Sequence, residues 1–249
     1  MSKPGVVTLS ALLLGMGVGL ASPPARAAIT DDDLYGQARA PLGLTAALGV
    51  RSDLVRSTGL DPFSTSDELS QSSLAIGYHL TGTERAGLLL GFEWNHGNSA
   101  ATARGSQASL TLDRLTFAIE SRFGLWWRVS GFARFAPGAM RDHVGLVDPS
   151  APMGAYGGVA AGGLQQTTWV PAADVSGGLA FRFGELRGRG APVFGFWLTA
   201  EGGYAYAGAH DLVLESRVEA QPGRVDEPVR LGQLALRGAF MRFRIAVSF

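Results

Sequence analysis

Hydrophobic residues in this chain recur at every second position, not every third or fourth. Leu42, Leu44, Ala46, Leu48 and Val50 alternate with Gly43, Thr45, Ala47, Gly49 and Arg51. Leu74, Ile76, Tyr78 and Leu80 alternate with Ser73, Ala75, Gly77 and His79. The same period runs through Leu88, Leu90, Phe92 and Trp94, with Glu93 on the other parity, and through Leu115, Phe117 and Ile119 against Thr116, Ala118 and Glu120. Trp127, Val129 and Phe135 oppose Arg128, Ser130 and Arg134; Trp169, Val175, Leu179, Phe181 and Phe183 oppose Asp174, Ser176 and Arg182. Phe194, Phe196, Leu198, Tyr204 and Tyr206 oppose Thr199 and Glu201, and Met241, Phe243, Ile245, Val247 and Phe249 oppose Arg242, Arg244 and Ser248. Successive side chains change faces only in an extended chain, so the pattern predicts eight β-strands.

The gaps between these segments alternate long and short, and segments of about ten residues match a tilted strand that crosses a bilayer. The long gaps, such as 97–106 and 137–163, are rich in Gly, Ser and Pro and read as loops. One face of every segment is apolar and the other carries Gly, Ser, Thr and charge, too polar for the core of a soluble barrel. Aromatic residues on the apolar face gather at the segment ends: Trp94, Phe135, Trp169, Tyr204 and Tyr206 toward the long loops, and Tyr78, Trp127, Phe181, Phe183, Phe194 and Phe249 toward the short turns. Two such belts are the interfacial girdles of a membrane barrel. The predicted fold is therefore all-β, an eight-stranded antiparallel up-and-down transmembrane β-barrel over residues 42–249.

Composition explains where the apolar residues go. Only 17% of residues are charged, against about 25% in ordinary soluble domains, and Gly reaches 35 residues. The 21 basic and 21 acidic residues balance, which excludes a polybasic nucleic-acid binder. Cysteine is absent, which excludes disulfide frameworks, Cys-ligated metals and thiol catalysis. Residues 1–27 combine Lys3, an apolar stretch from Val6 to about Ala21 and the small-residue ending Ala25-Arg26-Ala27, the parts of a secretory signal peptide. Residues 28–41 are then a short leader, and the exported chain keeps 21 acids against 19 bases once Lys3 and Arg26 are removed.

The last segment, Phe243-Arg244-Ile245-Ala246-Val247-Ser248-Phe249, resembles the assembly signal of Gram-negative outer-membrane proteins, in which Phe243, Ile245, Val247 and Phe249 would be read by the barrel-assembly machinery. Over about residues 40–249 the chain resembles the small eight-stranded outer-membrane barrels of the OmpA/OmpX/OmpW-like superfamily. The resemblance implies a cell outer-membrane location, both termini in the periplasm, outer-membrane lipid around the barrel and periplasmic chaperones during biogenesis. It implies a monomer with no cofactor, and no periplasmic domain is expected after Phe249.

Eight strands enclose a space just wide enough to be filled by side chains. Counted from the strand ends, Glu93, Arg114, Arg134, Asp174, Glu201 and Arg242 face inward at similar height, three acids and three bases. They are expected to form an ion-pair belt that closes the lumen. A turn near Gly124 would set Arg114 opposite Arg134 and Glu120 opposite Arg128 as a second inner pair, and a connection near Arg187 would set Asp174 opposite Glu201. The function expected is non-enzymatic: surface loops for envelope integrity, adhesion or ligand binding, or at most a narrow path for small solutes. The alternative is a lipid A acyl-modifying enzyme with a histidine site at the outer rim. His96 at a strand end, His143 in the longest loop after Asp142, and His210 before Asp211 supply bases. An adjacent Asp-His pair in a loop cannot orient itself as a catalytic triad does, so no catalytic residue and no metal ligand are expected, and His79 is a polar residue of the lumen.

Overall fold

The structure, a computed structural model, describes residues 43–55, 57, 60–61, 63–64, 67–82, 86–103, 106–147, 164–186, 194–216 and 229–249. The expected signal peptide and leader, together with Leu42, lie outside them. Ten strands follow in order: β1 (Leu44–Val55), β2 (Glu68–Gly82), β3 (Gly87–Ala103), β4 (Ser106–Trp126), β5 (Val129–Val147), β6 (Leu164–Leu186), β7 (Phe194–Ala207), β8 (His210–Ser216), β9 (Val229–Leu234) and β10 (Gly238–Ser248). Strands β1 to β7 pair with their sequence neighbours, β10 joins β7, and β10 closes on β1 from Thr45↔Ser248 to Val55↔Gly238. Eight strands thus form a closed antiparallel ring. A ring leaves no open edge, the condition a sheet must meet in lipid. The other two, β8 and β9, make a hairpin in the last long connection, attached to β6 at Leu164↔Ser216 and Gln165↔Glu215.

Ladder partners spiral around the barrel. From Asp142 the row passes through Leu112, Gly97, Gln71, Arg51, Arg242, Glu201 and Gly178, and returns to β5 at Phe132, ten residues nearer the β4–β5 turn. With ~3.3 Å per residue and ~4.8 Å between strands, this stagger tilts the strands by about 40°. Nine to eleven tilted residues then cross a hydrocarbon core. On β4 that run is Leu115 to Phe123, with Leu115, Phe117, Ile119 and Phe123 pointing outward. Phe92 and Leu48 on the same surface are 69% and 66% exposed, apolar area that only lipid would cover. The ten girdle residues on the strands and turns, Trp94, Phe135, Trp169, Tyr204 and Tyr206 with Tyr78, Trp127, Phe181, Phe183 and Phe194, are also exposed, and Trp126 and Phe123 join the turn-end set.

Two sequence expectations about connections are corrected. Residues 97–103 are not loop but the end of β3, and only positions 104–105 separate it from β4. Likewise β5 runs on to Val147, so 137–147 belong to a strand. These strand ends were hidden because they stand beyond the membrane zone and their apolar parity is reversed: Ala108, Leu110 and Leu112 point inward, where Arg114 and Thr116 follow on the same face. Gly49 permits the closure itself. A methyl group there would stand 2.1 Å from the Phe243 carbonyl and 2.5 Å from Cγ of Arg244, so the glycine makes room for that arginine.

Candidate functional site: a stack of ions under an apolar cap

Alternate inward positions bring charged residues together in three levels. In the middle level Glu93 on β3 contacts Arg134 on β5 and Arg242 on β10, and Arg244 Nη1 stands 3.4 Å from its Oε2. Asn95 donates to Glu93 Oε1 at 2.7 Å. Glu201 on β7 accepts from Arg242 Nη2 at 2.5 Å, Arg242 Nε at 3.0 Å and Arg244 Nη2 at 3.0 Å, while Arg134 stands 3.9 Å away. Toward the long loops, Asp174 on β6 accepts from Arg51 Nη1 at 2.6 Å and from Arg114. The same Arg51 turns its Nε to Asp53 at 2.9 Å, Gln71 donates to Asp53, and the guanidinium lies 4.0 Å over the Phe240 ring. Toward the short turns, Glu120 accepts from Arg122 Nε at 2.6 Å, with Arg134 4.0 Å away. Arg122 stacks 5.6 Å from the Trp197 ring, whose Nε1 donates to Ser248.

All of these charged side chains are at least nine-tenths buried. Sharing one carboxylate between two or three arginines offsets the several kcal/mol that desolvation costs each ion. Arginine suits this use because its fork contacts several acceptors and stays charged.

The six residues singled out from the sequence all face the lumen, but at two levels: Arg114 and Asp174 above, Glu93, Arg134, Glu201 and Arg242 below them. The pairings derived from turn positions are wrong. The β4–β5 turn is at Trp127 and Arg128, three residues later than Gly124, so Glu120 faces Arg134 and Arg114 faces Met140. Arg128 is exposed in that turn, 4.2 Å from the Trp127 ring, and makes no inner pair with Glu120. Asp174 faces Ala205, and Glu201 faces Gly178. Arg51, Asp53, Arg122 and Arg244 belong to the stack and were missed. Their inward parity was visible, but counting from strand ends ignored the ten-residue stagger. Nor is the stack charge-balanced: among the described residues Arg51, Arg114, Arg122, Arg134, Arg242 and Arg244 stand against Asp53, Glu93, Glu120, Asp174 and Glu201.

Above the ions the inward face becomes apolar. Val55, Leu69, Leu110, Leu112, Met140, Val144 and Val170 from the ring pack with Leu60 and Phe63 of the first long connection and with Leu212, Leu214, Leu234 and Leu236 of the last. The β8–β9 hairpin is the lid of this cluster. Gln166 on β6 holds it by donating to the Asp211 carbonyl at 3.0 Å and accepting from the Val213 amide at 2.6 Å.

The rim histidines do not assemble an acyl-transfer site. His96 meets Asp113 at 2.8 Å, His143 meets the Thr167 hydroxyl at 2.8 Å, and His210 meets Asp142 at 3.2 Å. Among the described residues, none of the three touches both a hydroxyl and a carboxylate, as an oriented base requires. His143 and His210 lie on β5 and β8, not in loops, and Asp142 is turned inward, fully buried, away from the neighbouring His143. His79 faces the lumen near the turn end, half-buried.

The closed ring, its outward apolar band, exposed aromatics at both ends and charged interior define the class: a small eight-stranded transmembrane β-barrel, crossing the membrane with strands. No family model and no curated protein matches the sequence. Among solved structures the chain is similar to Ail, the attachment invasion locus protein of Yersinia pestis, determined in complex with the heparin analogue sucrose octasulfate. There it shares 10% identity at a TM-score of 0.42, covering 83% of this chain and 97% of Ail. A structure of Ail alone gives 11% identity and a TM-score of 0.40 over the same shares.

Proposed function

We propose that this protein is a non-enzymatic outer-membrane barrel whose lumen is closed twice, by the ion stack and by the apolar cap, and whose working surface is the loop end. The observation that carries the reading is the apolar cluster seated on the ions: a conducting lumen needs water at every level, and at this level Leu110, Leu112, Leu212 and Leu214 are fully buried against one another. In this reading both termini are periplasmic, residues 1–27 are removed on export, and Phe243, Ile245, Val247 and Phe249 present the last strand to the assembly machinery. Phe243 and Ile245 are half exposed on the lipid face, where such a reader can reach them. The barrel acts as a monomer, and adhesion or ligand binding falls to the long connections and the β8–β9 hairpin. Reconstitution in a planar bilayer tests the closure. The expected result is no large steady single-channel conductance; a steady open state in the wild-type protein overturns it. Replacing His96, His143 and His210 together leaves outer-membrane lipid composition unchanged, whereas a lost lipid modification would establish the rim enzyme.

A further inference from the structure

The unequal charge of the stack has a place. Its turn-end half borders a partly open cavity of about 30 Å³, lined on the lumen side by Arg122, Arg134 and Arg244, by the single carboxylate Glu120, and by Thr45 and Thr199, and reaching the barrel wall at Ile76 and Phe92. Ala47, Ala75, Ala118 and Ala246 keep it open by presenting only methyl groups. Three donors on its lining have no hydrogen-bond partner: Nε of Arg134, Nε of Arg244 and the hydroxyl of Thr45, all on residues more than nine-tenths buried. Arginine does not shed its proton in proteins. One positive charge in excess, held out of water, costs several kcal/mol even where every arginine has a carboxylate nearby, and unsatisfied buried donors add to that.

We propose that this cavity is a binding site for one small monovalent anion of halide size, held between Arg122, Arg134 and Arg244 with the Thr45 hydroxyl as a further donor. One negative charge neutralises the excess arginine of the whole stack. The room available exceeds what a single water needs, about 10–15 Å³, and is small for a carboxylate of sugar size. The site lies below the apolar cap and stands whether or not the lumen conducts.

A ligand that binds only the folded state raises its stability in a saturable way. The test is thermal unfolding of the protein, purified from membranes in detergent, with chloride or bromide exchanged for gluconate at constant ionic strength. At tenfold excess over Kd the halides are expected to raise Tm by about 3–6 °C. Arg244→Gln, which balances the stack, loses that dependence, so that its Tm in halide equals its Tm in gluconate. Where Arg244→Gln fails to fold, Arg122→Gln, which touches fewer acids, makes the same comparison. A wild-type Tm indifferent to halide overturns the site, and so does an equal halide response in a folded variant. Crystals grown in bromide are expected to show an anomalous peak in the cavity; a cavity containing only water refutes the proposal.

Discussion

Asp174 holds two guanidiniums, those of Arg51 and Arg114, with less than one-twentieth of its side chain exposed. Its replacement by Ala takes the carboxylate from Arg114 and leaves Arg51 with Asp53 alone, and breaking a buried pair by removing one partner costs about 3–5 kcal/mol. Asp174→Ala is therefore expected to lower the unfolding midpoint in urea substantially when the barrel is held in lipid vesicles. Phe135→Leu, on the lipid side of the same barrel region, should move it by well under half as much. Equal midpoints for Asp174→Ala and wild type would mean that water reaches this level and solvates the arginines. Size matters as much as charge at Gly49. There any side chain collides with the β10 backbone and with Arg244, so Gly49→Val is expected to leave a large share of the protein unassembled, read as the loss of the compact, heat-sensitive band in gel electrophoresis.

Each membrane strand carries two patterns, one above the other, and only the lower was legible in the sequence. Between the girdles, Leu115, Phe117 and Ile119 face lipid while Thr116, Ala118 and Glu120 face the lumen, and the two environments differ so sharply that alternation alone assigns every face. Beyond Arg114 the contrast inverts. Leu112 and Leu110 point inward to the cap while Thr111 and Asp113 point out, so the apolar parity slips by one, and short apolar–polar runs beside Gly and Ser read as loop. Position of the charges around the ring was legible; their height was not, because the stagger that sets height depends on pairing across strands distant in sequence. The β8–β9 hairpin adds a property of its own. His210, at its start, is bonded to buried Asp142, and that hydrogen bond raises its pKa from the ordinary histidine value of 6.5, outweighing partial burial. A raised folded-state pKa contributes stability that is present below the unfolded value and is lost as pH rises through the folded one. Hydrogen exchange of the β8–β9 amides, corrected for intrinsic rates, should thus show stronger protection at pH 5.5 than at pH 8.5. Asp142→Asn should erase the difference; protection that grows toward alkaline pH would contradict the latch.

Taken whole, the molecule places two unlike obstacles in series along one axis, and series obstacles make a definite forecast. Ions cross a charged constriction only by displacing its salt bridges, and cross an apolar one only by shedding water. Removing either obstacle leaves the other to limit the current. The hairpin can be excised by joining Gly208 to Arg237 through a short turn, because the ring strands satisfy one another's backbone groups without it and the β8 backbone ladders with β6 at just two registered pairs. Arg134→Ala opens the middle of the stack, since Arg134 reaches Glu93, Glu120 and Glu201 together. In planar bilayers each change alone is expected to leave conductance near the wild-type background. The combined variant should conduct measurably, and by much more than the two single effects added. If the hairpin deletion alone conducts as well as the combination, the ion stack is a hydrated passage and the cap is the only closure. If Arg134→Ala alone does so, the cap admits water despite its leucines, and the order of importance is reversed.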